Sequence, residues 1–133
     1  MISTGKGDKL LYTIDHTHVF KNEAIWDRYC FKQGIEGNDY LDRDILDSNE
    51  FLYSLFFRNK NITNQSLLST AEKYPIVITK EVLTDIIDNI PTDWDVPLRD
   101  LEALKEYLLY RVGHINDICE MIAEYRNGGK DYV

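Results

Sequence analysis

From Leu98 to Arg126 the apolar residues Leu101, Leu104, Leu108, Val112, Ile115, Cys119 and Ile122 return every three or four positions, and Gly128-Gly129 follows. That spacing puts them on one stripe of an α-helix and on no single face of a strand. A stripe this long needs a facing surface, so the chain has to supply further helices to cover it. Gly113 in its interior costs about 1 kcal/mol against alanine and predicts a bend or a close helix crossing there.

The preceding segments carry the same period. Ser48 or Asn49 can cap a helix through about Asn59 that buries Phe51, Leu52, Leu55 and Phe56. Thr63 or Asn64 can cap another, with Leu67, Leu68, Ala71 and Tyr74 inward and Pro75 closing it. Thr79 opens a third, in which Val82, Leu83, Ile86, Ile87 and Ile90 recur until Pro91. The loop from Pro91 to Pro97 is stiffened by its prolines, and Trp94 is expected to fold back onto the core. Earlier, Asn22 can cap a helix to about Gln33, with Ile25, Trp26 and Tyr29 as its stripe and Gly34 as its stop. Gly37-Asn38 marks a turn in the acidic stretch 34–47. Its aspartates, Asp39, Asp42, Asp44 and Asp47, lack the glycine and glutamate register of a calcium loop, so a solvated loop is expected.

The first twenty residues read differently. Ile2, Ser3 and Thr4 suit a short strand, Gly5-Lys6-Gly7-Asp8 a turn, and Leu10 to Ile14 a second strand with apolar residues on both faces. The Gly-Lys-Gly string lacks the spacing of a phosphate loop and leads into no helix. Asp15, His16 and His18 gather where the strand ends, either as turn caps or as ligands carried on a stiff support. No proline lies between Met1 and Phe20, so the hairpin edge is open to pairing with a second copy and a homodimer through it is expected. The strand also begins almost at Met1, which leads to the expectation of a segment ahead of it. The fold class is mainly α: a single domain over 1–133, with a short β-hairpin (about 1–20) and a body of about five helices (about 22–127).

Composition narrows the functions. A chain of 133 residues fits one domain, and 44% hydrophobic residues with nine tyrosines argue against disorder. A net charge of −8 offers no basic face for nucleic acid. No run approaches a membrane span, and no cleavable signal pattern opens the chain. Cys30 and Cys119 stand apart, without metal-type spacing, as small buried thiols of a reducing cytoplasm.

One family answers to these motifs. Tyr12-Thr-Ile-Asp-His-Thr-His-Val-Phe20, followed closely by Trp26-Asp27, resembles the metal-binding strand end of HipA-like kinases. Ile90-Pro-Thr-Asp-Trp94, then Leu104 and Tyr107-Leu-Leu-Tyr-Arg111, is similar to the C-terminal helical part of the same group. The resemblance implies that residues 2–14 are the hairpin that follows a kinase catalytic loop and that Asp15 is the magnesium-binding aspartate. His16 stands where many kinases place the phenylalanine of Asp-Phe-Gly, so the switch associated with that residue does not transfer. His16 and His18 become neighbours of the metal ligand, with packing the favoured role for His18. Magnesium and ATP are the cofactors of the complete family fold. In the family the phosphate-covering loop, the lysine, the catalytic-loop aspartate and the second metal-binding asparagine precede the magnesium aspartate. The implied molecule is therefore the C-terminal lobe portion of a kinase-like fold. It needs the N-terminal part or a partner protein, has no catalytic residue of its own, and is expected to bind neither ATP nor magnesium alone.

Two other function classes fit the residues. An acidic interaction module of the immunity or antitoxin kind could mask a basic partner, which the charge permits. A small metal-dependent hydrolase could be built on Asp15, His16, His18, Asp27 and His114, although strand alternation points Asp15 away from both histidines.

Overall fold

The computed structural model describes residues 2–3, 11–12, 26–44, 46–47 and 63–128. Among them, five helices make the body: α1 (Arg28–Glu36), α2 (Asn64–Val77), α3 (Lys80–Asp88), α4 (Leu98–Gly113) and α5 (Ile115–Gly128). Short 3-10 turns occur at Asp39–Leu41 and Thr92–Trp94. Two two-residue strands, β1 (Ile2–Ser3) and β2 (Leu11–Tyr12), pair antiparallel with Ile2 opposite Tyr12 and Ser3 opposite Leu11. The turn expected at residues 5–8, the rest of the second strand and the helix expected from Ser48 to Asn59 lie outside the described residues.

Helix starts follow local chemistry. Oδ1 of Asp27 accepts the amides of Cys30 (2.8 Å) and Tyr29 (3.0 Å), and these bonds hold its carboxyl below the usual carboxylate range. This cap corrects the expected helix from Asn22 to Gln33. Trp26 and Asp27 are non-helical and α1 begins at Arg28, where a carboxylate satisfies two otherwise free amides. The buried face of α1 is set by Phe31, with Ile35 partly buried one turn on, while Tyr29, expected inward, is exposed. Gly34 does not stop the helix either. It ends at Gly37, whose amide bonds to the Gln33 and Ile35 carbonyls, and Asn38 follows at φ 50, so the expected Gly37-Asn38 turn is present.

Thr63 and Thr79 cap α2 and α3, as their positions in the sequence predict. Thr63 and Ser66 bond reciprocally in a capping box, and Thr79 Oγ1 accepts the Val82 amide. Pro75 sits inside α2 instead of closing it. A proline removes only its own amide bond, and the ladder resumes when the Ile78 amide donates to the Tyr74 carbonyl at 2.8 Å. Ala71 is the residue α2 buries completely, while Leu68 and Tyr74, expected inward, are nearly half exposed.

α1 and α3 both lie against α4, and α2 lies against α5. The core joins Phe31, Ile87, Leu104 and Tyr107, with Trp26, Ile35, Ile90, Leu101 and Leu108 packed around it. The Phe31 ring sits 5.1 Å from Tyr107 and 5.9 Å from Trp26. In the second layer Cys119 of α5 is buried, which pushes its thiol pKa up. The stripe from Leu98 to Arg126 is thus two helices and not one. His114 leaves the helical track (φ −106, ψ 16), and a Cβ on Gly113 would meet nothing within 4 Å, so the glycine marks a bend and no close crossing. Trp94 does not fold back. Ile90 packs at this corner of the core, and the turn that follows, ended by Asp95 at φ 51, leaves Trp94 68% exposed. Among the described residues no helix is long and apolar enough to cross a membrane.

Candidate functional site

Asp15, His16 and His18 lie outside the described residues. Asp27 and His114, the other members of the set considered for metal chemistry, are described and are not brought together. α1 and α4 run side by side in the same direction. Arg28 meets Asp100 in the first turn of α4, and Gly34 approaches Tyr107 further along. Asp27 is therefore level with the start of α4, and His114 lies one residue past its end. At 1.5 Å per residue, fourteen residues of helix separate those levels by roughly 20 Å. Asp27 is committed to capping, and among the described residues no group of three or more histidine, cysteine or acidic side chains could hold a metal ion.

The acidic stretch contains what the sequence concealed. Asp39 is a buried carboxylate at 8% exposure, not part of a solvated loop. Its Oδ2 accepts the hydroxyl of Tyr107, and its Oδ1 accepts Nη1 of Arg111 at 3.3 Å. Tyr107 and Arg111 stand four residues apart on one face of α4, the spacing that lets both reach one acceptor. Gly34 makes the approach possible. A Cβ there would lie 2.7 Å from Asp39 Oδ2 and 2.9 Å from Tyr107 Cε2. Burial, with the Asp39 hydrogen bond, pushes the Tyr107 pKa far above the phenol range, so this hydroxyl stays protonated and donates.

Rings extend the network. Tyr40 stacks on His114 at 3.9 Å, nearly parallel, and Tyr110 meets both edge-on at 5.8 and 5.0 Å. His114 Nδ1 lies 3.1 Å from Asp117 Oδ2, so the histidine joins the bend between α4 and α5 to the first turn of α5. Arg43 bonds Glu124 at 2.8 Å, and Asp42 accepts the Asp44 amide. Both oxygens of Asp39 are engaged, which makes the cluster a clamp on the 39–41 turn and not a nucleophile. The signal in the sequence was a glycine within a helical pattern, five residues before an aspartate, facing a Tyr–Arg pair on the longest stripe.

A second clamp holds the other end of α1. Asp100, also buried, accepts both the backbone amide of Arg28 (3.1 Å) and its guanidinium (3.2 Å). Between the clamps, α1 and α4 leave an open groove of about 450 Å³ lined by apolar Phe31, Ile35 and Ala103 and by Arg28, Lys32, Glu36 and Glu106. Charges of both signs line it, so the groove selects for no charged ligand. In comparisons with protein-family models, curated proteins and solved structures, no match to the chain was found.

Proposed function

We propose that this chain is the C-terminal helical part of a HipA-like kinase, with Asp15 as its magnesium ligand. The observation that carries this reading is the order Ile14-Asp15-His16-Thr17-His18-Val19-Phe20, with Trp26-Asp27 close behind and a helical body after it. The residues of the second likeness have roles compatible with a family motif: Ile90 and Leu104 pack in the core, and Tyr107 and Arg111 hold Asp39. Trp94 is the exception, being exposed.

On this reading Asp15 supplies a carboxylate oxygen to magnesium, and His16 and His18 stand beside it. The bound ion offsets charge on the ATP phosphates during phosphoryl transfer. The phosphate-covering loop, the lysine and the catalytic-loop aspartate belong to the part of such a kinase that precedes this one. That part is the partner this chain requires, and without it the chain phosphorylates nothing. Magnesium usually relies on one or two carboxylates plus the substrate's own phosphates, so one aspartate without a phosphate cradle holds the ion weakly. Calorimetric titration of the isolated chain with Mg-ATP tests this. No saturable heat is expected, and a dissociation constant in the micromolar range would contradict the dependence on a second lobe.

A further inference from the structure

α3 presents a wider apolar stripe than the fold covers. At 100° per residue, Val82, Ile86, Ile90, Leu83 and Ile87 span a continuous arc of about 140°. Leu83 and Ile87 are buried at 6% and 5%, yet Val82 and Ile86, on the other half of the arc, are 38% and 58% exposed. Around the helix from Ile86 and Val82, away from the core, come Asn89, Asp85, Glu81 and Asp88. Neither Asp85 nor Asp88 takes part in an ion pair among the described residues. The two residues that end α2, just before this helix, are exposed as well: Ile76 at 77% and Val77 at 63%. From Tyr74 to Leu98 the chain carries five carboxylates, Glu81, Asp85, Asp88, Asp93 and Asp95, against the single cation Lys80.

We propose that this face docks an amphipathic segment of a partner protein that presents aliphatic side chains flanked by lysine or arginine. The aliphatic residues would cover Val82 and Ile86, and the cations would meet the carboxylates beside them, whose charge nothing in the described structure neutralises. A second copy of this chain is a poorer occupant. A two-fold contact would set the same carboxylates against one another on two chains of net charge −8. This surface exists whether or not the chain belongs to a kinase.

The probe is a synthetic helix-forming peptide of leucines and lysines in amphipathic order, with a twin carrying glutamate in place of every lysine. Fluorescence anisotropy of the labelled peptides is followed against the full chain at two salt concentrations. The lysine peptide is expected to bind saturably and more weakly in high salt, and the glutamate twin not at all. The double variant Val82→Ser, Ile86→Ser should weaken binding at least about tenfold. Leu41→Ser, at an exposed leucine outside this face, should leave it unchanged. Asp85→Asn with Asp88→Asn should weaken it about threefold and flatten its salt dependence, and circular dichroism should show the same helical signal in every variant. Equal binding of the glutamate twin would overturn the proposal, as would unchanged binding by the double serine variant. So would a dimer in light scattering that this variant dissolves, because the occupant would then be a second copy.

Discussion

A buried carboxylate is stable only while its partners stay in place, and Asp39 relies on Tyr107 and Arg111. Tyr107→Phe removes one donor and leaves an oxygen buried, which should cost about 1–3 kcal/mol in chemical denaturation. Its signature is alkaline. Tyr107 titrates higher folded than unfolded, and an unfolded tyrosine loses its proton near pH 10. Above that pH the unfolded chain sheds a proton the folded chain retains, so this stabilisation is complete below about pH 10 and declines as the pH rises further. Tyr107→Phe should flatten that decline without abolishing it, since burial also raises Tyr110. Identical alkaline slopes in the two proteins would remove Tyr107 from the clamp. Gly34→Ala forces a methyl against the same carboxylate and ring and should cost about 1–3 kcal/mol, read from the denaturation midpoint. None of this was legible beforehand, because Asp39 looks like its acidic neighbours until the fold brings Tyr107 and Arg111 to it from 68 and 72 residues away.

Helices divide into what is local and what is not. Thr63 and Thr79 could be assigned as caps from sequence because a cap is a contact between residues three apart. Asp27 was missed as a cap for α1 because Asn22 offered the same chemistry five residues earlier, and only packing of Phe31 against Tyr107 fixes which start is used. Pro75 and Trp94 misled for the opposite reason: a local rule was applied where tertiary structure decides. α3 offers an internal test of its orientation. Ile87→Ala should cost about 2–5 kcal/mol, since it leaves a cavity between α3 and α4, whereas Ile86→Ala on the exposed half should stay within about 0.5 kcal/mol. Denaturation of the two variants side by side measures the difference, and equal midpoints would mean that the wrong half of the stripe faces the core.

At the scale of the molecule, the helical body is two layers joined at His114: α1 and α3 on α4, then α2 on α5. Its helical class was readable because five stripes with 3.6-residue spacing recur along one chain. The kinase reading rests on residues 12–20, an order of side chains and not a packed site, and it stands on what Asp15 does in chemistry. The direct measurement is phosphoryl transfer from ATP, with magnesium present, by the product of the whole reading frame. Asp15→Asn removes charge at the metal and little volume, so transfer should fall at least about a hundredfold while the denaturation midpoint holds. Asp27→Asn should keep transfer and at most lower the midpoint, because Asp27 caps α1. Wild-type transfer by the Asp15→Asn protein would contradict the account.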